Sequence, residues 1–165
     1  MLSKTLSLDL GCGSGPKNPF NADDVCGIDV CEDVGANIIK ADLVIEPIPF
    51  PDEHFDFVTA YDFLEHIPRL IYAPHRRLPF IELMNEIYRV LKPKGLFYSF
   101  TPVFPNAGAF WDPTHVNIMT EHTFAFYFVK NWARPYGWKG SFSLLSQGWK
   151  PPHLETTLVK ESAEK

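Results

Sequence analysis

The chain has 165 residues, 45% hydrophobic and 21% charged, with a formal net charge of −5, which fits one globular domain spanning 1–165 with a single substantial core. That charge argues against a nucleic-acid backbone as main partner, since phosphate binding needs clustered cations. No apolar run approaches the roughly 18 residues of a membrane span and no basic-then-apolar leader is present, so neither membrane insertion nor secretion is expected.

The first predicted element is a strand, Leu6-Ser7-Leu8-Asp9-Leu10, which empties into Gly11-Cys12-Gly13-Ser14-Gly15. Glycine at every second position lets a backbone turn tightly and approach a ligand. The spacing is G-x-G-x-G rather than the G-x-G-x-x-G of dinucleotide sites, where a helix opens beneath a pyrophosphate. A second apolar run, 25–30, and a third, 37–43, also contain acids near their ends, Asp29 and Asp42. Their connections are close to the lower limit for parallel crossovers, so the first half is expected to lack long helices.

A fourth strand is predicted over 55–60, followed by Tyr61-Asp62-Phe63-Leu64-Glu65-His66-Ile67. From about Pro79 to Lys92, apolar residues recur at helical spacing, with Glu82 and Glu86 early and Arg89 and Lys92 late, as the helix dipole favours. Pro93 and Gly95 stop that helix, and 96–101 reads as the fifth strand. A long loop through Asp112-Pro113-Thr114-His115 precedes a second helical stretch from Thr120 or Glu121 to about Phe128. Two alternating runs, 141–147 and 153–160, close the chain as a hairpin across Gly148-Trp149-Lys150-Pro151-Pro152. The basic residues Arg69, Arg76, Arg77, Arg89, Lys92 and Lys94 are interrupted by prolines and apolar residues, and read as a solvated face. Cys12, Cys26 and Cys31 are odd in number and lack zinc-like spacing, so reduced thiols and a cytoplasmic location are expected.

Leu8-Asp9-Leu10-Gly11-Cys12-Gly13-Ser14-Gly15 together with Phe55 through His66 resembles the first and fourth motifs of class I S-adenosylmethionine-dependent methyltransferases, in a minimal form similar to methyltransferase type 11. Gly27-Ile28-Asp29, Ala41-Asp42-Leu43 and Asn85 through Gly95 are similar to its supporting motifs. The resemblance implies an α/β, Rossmann-like three-layer sandwich. Its seven-stranded sheet would be mostly parallel with an antiparallel C-terminal hairpin, and its helices reduced in the N-terminal half. It also implies S-adenosylmethionine as cofactor, held by Asp9, Gly11, Cys12, Gly13, Gly15, Asp29, Val30, Asp42, Leu43, Tyr61, Asp62 and His66. Asp29 would accept from vicinal ribose hydroxyls and Asp42 from the adenine amino group. Cys12 is given no redox role. The family's helix after the glycine loop is replaced here by Pro16-Lys17-Asn18-Pro19-Phe20, which exposes the cofactor or makes a homo-oligomer supply the wall.

On the acceptor side, His115 and Asp112 lie on the loop after the fifth strand and are candidates for taking the acceptor's proton. The alternative is a turn in which Asp112 and Thr114 cap the following segment. Phe104, Phe110 and Trp111 are candidates to line a pocket for a small-molecule or glycan-type acceptor. No metal is expected, because His115, Glu121 and His122 do not make the H-E-x-x-H spacing. A non-catalytic cofactor-binding module and, behind it, a nicotinamide-dependent oxidoreductase are the other readings.

Overall fold

The computed structural model describes residues 4–31 and 35–162. Seven strands form one sheet: β1 (Leu6–Leu10), β2 (Asp24–Asp29), β3 (Ile38–Lys40), β4 (Phe55–Tyr61), β5 (Leu91–Pro102), β6 (Phe142–Lys150) and β7 (His153–Lys160). Their order is β3-β2-β1-β4-β5-β7-β6. β1 to β5 pair in parallel, while β7 runs antiparallel to both β5 and β6. The chain order reverses between β1 and β4, and ligands of open α/β sheets bind outside the carboxyl ends at such a switch point. This is the α/β, Rossmann-like sheet with a C-terminal hairpin that the sequence implied.

The two faces of the sheet are covered unequally. Leu8, Leu10, Val58, Ala60 and Phe97 belong to the core packed with α1 (Pro79–Val90), the one α-helix among the described residues. On this side Tyr88 and Phe80 of α1 meet Trp138, Phe142 and Phe128 in edge-to-face contacts. The opposite face carries no helix among the described residues. Instead Phe20 stacks on Phe57 at 4.6 Å, and Lys17 lies over the ring of Tyr61. Residues 16–22 thus stand where a crossover helix would otherwise lie, as the prolines at 16 and 19 foretold.

Several boundaries differ from the sequence expectation. α1 stops at Val90, not Lys92, because Pro93 disfavours helical geometry at the preceding residue, and β5 begins at Leu91. β3 is only three residues long, so Asp42 lies beyond it in a turn rather than at its end. The helical stretch expected over 120–128 lies at 123–129, of which Ala125–Val129 is a widened π-type turn. Before it, the Thr123 hydroxyl accepts from the Thr120 amide and the Thr120 hydroxyl from the His122 amide. Residues 148–150 continue β6, with Gly148 opposite Glu155 and Lys150 opposite His153, leaving Pro151-Pro152 as a two-residue turn.

The basic residues also do more than face solvent. Arg89 donates to Glu86 and Asp52, and to the carbonyls of Ile48 and Phe50, which ties the proline-rich loop to α1. Lys92 pairs with Asp56 at 2.8 Å, and Arg77 bonds to Glu82. Arg89→Ala is expected to destabilise the fold by about 1.5–3 kcal/mol, the usual range for hydrogen bonds to a charged group. A urea titration reads this as a lower midpoint at unchanged slope.

Candidate active site

At the carboxyl end of β1 the chain doubles back, and the amides of Gly11 and Cys12 both donate to the Ile28 carbonyl, at 2.9 and 3.2 Å. Gly11 and Gly13 have φ of +65° and +59°, where side chains are disfavoured. A Cβ on Gly11 would also stand 2.4 Å from the Phe63 ring. Asp29 fastens this loop to β2: its Oδ2 accepts from the Gly13 amide at 2.8 Å and its Oδ1 from the Cys31 amide at 2.9 Å. Burial opposes ionisation of Asp29, but the amides of Cys31, Gly13 and Val30 together hold its carboxyl below the usual range. It is therefore a charged acceptor with lone pairs to spare.

Asp9 is wholly buried beneath the loop, accepting from the Thr59 hydroxyl at 2.6 Å and the Lys17 amide at 2.8 Å. Burial raises its pKa against those two bonds. Its place is that of a clamp on the loop's return. Cys12 packs its sulfur against Gly27, and burial, reinforced by Asp9 and Asp29, pushes its thiol up to about 11. A thiol held neutral in this way has no thiolate chemistry at pH 7.

A cleft of about 460 Å³ opens between the loop and the ends of β2 and β4, within the size range of small-molecule sites. Of the residues expected to hold a cofactor, Gly11, Asp29, Val30, Asp42, Leu43, Asp62 and His66 line it. Asp9, Cys12, Gly13, Gly15 and Tyr61 do not; Tyr61 packs on Tyr98 and Phe100 over the other sheet face. Ile28, Val44, Phe63 and Ile67 supply apolar walls. Asp42 Oδ1 accepts from the Val44 amide at 3.0 Å, which fixes the turn after β3. Asp62 has φ of +47°, and its Oδ1 lies 2.7 Å from His153 Nε2, whose ring stacks on Phe100. His153 carries no motif, and only the β5–β7 pairing brings it here. The described lining contains three carboxylates and neither lysine nor arginine.

His66 ends a one-turn 3-10 helix, Leu64–His66, and reaches the segment after β5. The amides of Val116 and Asn117 both donate to the Glu65 carbonyl at 2.9 Å, and Asn117 Nδ2 donates to the Leu64 carbonyl. Arg69 braces the same segment through Asn117 Oδ1 and the Ile118 carbonyl. His115 and His66 consequently meet edge to face, their ring centroids 4.9 Å apart. Asp112 does not touch the His115 ring: its Oδ1 accepts from the Thr114 amide and hydroxyl, and the Thr114 hydroxyl contacts His66 Nδ1. Those Thr114 bonds keep Asp112 below the usual carboxylate range, which makes it a weak base.

Glu65, beside this pair, escaped the sequence reading. It is 1% exposed, and burial pushes its carboxyl up to about 8. The adjacency of Glu65 and His66 was the signal available, but only the tertiary fold brings His115 to them. Phe104, Phe110 and Trp111 are exposed, Trp111 by 76%. A separate, more apolar cleft of about 340 Å³ lies between α1 and 123–136, and carries neither carboxylate nor imidazole.

A family profile described as "Methyltransferase domain" matches residues 8–99. No curated protein matches the chain by sequence. Among solved structures, a SAM dependent methyltransferase from Archaeoglobus fulgidus superimposes with a TM-score of 0.65 at 17% identity, covering 95% of this chain and 86% of that one. A SAM dependent methyltransferase from Aquifex aeolicus gives a TM-score of 0.61 at 16% identity, covering 94% and 82%. The cyclase SpnF gives 0.65 at 18%, covering 97% and 76%. At such identities these likenesses speak to fold, and the profile speaks to family. The chain belongs to the methyltransferase domain family and has the fold of the class I S-adenosylmethionine-dependent methyltransferases.

Proposed function

We propose that this chain binds S-adenosylmethionine in the cleft beside the glycine loop and catalyses methyl transfer to a small-molecule or glycan-type acceptor, in the cytoplasm. The observation that carries this reading is the chemistry of the lining: Asp29, Asp42 and Asp62 without a lysine or arginine among the described residues. Such a lining repels a pyrophosphate and attracts a cation, and no helix N-terminus follows the glycine loop to bind phosphate. The donor set fits the cofactor: Asp29 receives the ribose hydroxyls, while Ile28, Leu43, Val44 and Phe63 enclose the adenine.

When bound, the cofactor supplies a methyl group on a sulfonium, open to in-line displacement. Positioning contributes most of the acceleration in such a step. His115 supplies the acceptor side, presenting a ring nitrogen to an acceptor's proton. Asp112 acts through Thr114 and His66 as a positioning residue. Phe110 and Trp111 close over an acceptor. No helix among the described residues is long and apolar enough to cross a membrane, in keeping with that location. The thin wall at 16–22 favours one other reading, a non-catalytic cofactor-binding module, and formation of a methylated product separates the two.

Asp29→Ala is expected to weaken cofactor binding by about 1.5–3 kcal/mol. Asp42→Ala should cost less, since one contact is lost and its carboxylate already serves the turn. Calorimetric titration of both variants is the check. Unchanged affinity in both would show the carboxylates to be turn caps and the site misplaced.

A further inference from the structure

Glu65, His66 and His115 come together where the segment after β5 meets the turn after β4. One carboxylate oxygen and one ring nitrogen from each histidine lie within 4.8 Å of one another. Both Glu65 carboxylate oxygens are buried without a hydrogen-bond partner. The Thr101 hydroxyl is a nearby polar group that lowers the Glu65 pKa against its burial, and it also shares a hydrogen bond with Ser99 at 3.2 Å in which either hydroxyl can donate. Buried polar groups are almost always satisfied, so an orphaned carboxyl group points to an ion or a reacting group.

The hydrogen bonds of the two imidazoles fix their tautomers. His115 Nδ1 lies 3.1 Å from the Ala109 carbonyl oxygen, which only accepts. Nδ1 therefore carries the proton, and Nε2 carries the lone pair. His66 Nδ1 lies 3.0 Å from Thr114 Oγ1, whose own proton goes to the ionised Asp112 at 2.6 Å. Thr114 then accepts from His66 Nδ1–H, and His66 Nε2 is likewise left with a lone pair. A carbonyl behind one imidazole, and a carboxylate relayed through a hydroxyl behind the other, is how metal-ligating histidines are held.

We propose that Glu65, His66 and His115 bind a divalent first-row transition cation through two nitrogens and one oxygen, with further positions open to water or acceptor. The donors suit zinc, ferrous iron or manganese better than magnesium, which prefers oxygen alone. Metal–ligand bonds of about 2.0–2.2 Å place donors closer together than 4.8 Å, so the three side chains must close on the ion as it binds. Only the consequence rests on the methyltransferase reading. An acceptor hydroxyl coordinated to the cation releases its proton to water more readily, and His115 then serves as ligand in place of base. Cation binding needs neither cofactor nor acceptor.

The test uses the full chain, stripped with a chelator and titrated calorimetrically with zinc alone, without cofactor. Cobalt absorption provides an independent readout of nitrogen and oxygen ligation. One saturable site per chain is expected. Glu65→Gln and His115→Ala should each weaken it at least tenfold, and Thr114→Ala by about 10–100-fold, as loss of an outer-shell partner does. Absence of saturable zinc binding to the wild-type chain would overturn the proposal. So would undiminished binding by folded His115→Ala and Thr114→Ala proteins, which keep the test decisive if Glu65→Gln does not fold. A failed titration with the sulfonium cofactor would overturn the methyltransferase reading and leave this site standing.

Discussion

Replacing His115 with alanine is expected to lower methyl-transfer turnover by about 10²–10⁴-fold, the range that a positioned proton acceptor contributes, with cofactor affinity unchanged. His115 lies outside the residues lining the cofactor cleft, so nothing that binds the nucleoside is removed. Its ring makes one hydrogen bond, to Ala109, and one edge contact, to His66. The fold therefore has little at stake in it. Whether the lone pair takes a proton or holds a cation, its loss falls on kcat rather than on cofactor KM. Asp112→Asn should give a smaller loss, because Asp112 reaches the site only through Thr114 and His66. Full turnover in His115→Ala, or a protein that no longer folds, would return residues 112–115 to a purely structural turn.

Trp138→Ala should destabilise the fold by about 3–5 kcal/mol, the cost usual for deleting a large buried aromatic. The ring is 2% exposed, stacks on Phe142 at 5.6 Å, and meets Phe128 and Tyr88 edge to face at 5.1 and 5.7 Å. Its Nε1 donates to Asn131 at 3.1 Å, so the truncation also strands that amide oxygen. With one α-helix among the described residues, this aromatic cluster is what closes the sheet face beside α1. A chemical denaturation midpoint close to wild type would contradict that account.

The strands were legible where a short apolar run ended in turn residues. β1 and its glycine loop, β2, β4 and the closing hairpin stood out, as did α1 from its period and terminal charges. Legibility failed where tertiary partners decide the outcome. Asp42 stands among apolar residues that look like strand, yet β3 is too short to include it. Arg89 looked like a surface charge, and only the fold shows that carbonyls at 48 and 50 converge on it. Tyr61 shares a motif with Asp62, but Tyr61 ends β4 packed on Tyr98 and Phe100 while the chain turns at Asp62 with a φ of +47°, so the motif could not place both in one cleft. Glu65, Asn117 and Ala109 have no spacing signature, because the loop after β5 folds back across about fifty residues to reach the turn after β4.

The central claim is that the cleft at the β1–β4 switch point takes a sulfonium nucleoside rather than a pyrophosphate-linked dinucleotide. Calorimetric titration of the purified chain with S-adenosylmethionine, its demethylated product and NAD, each alone, tests this most directly. Saturable one-site binding of the first two, with NAD weaker or silent, is the predicted result. NAD binding as tight as or tighter than that of S-adenosylmethionine would contradict it.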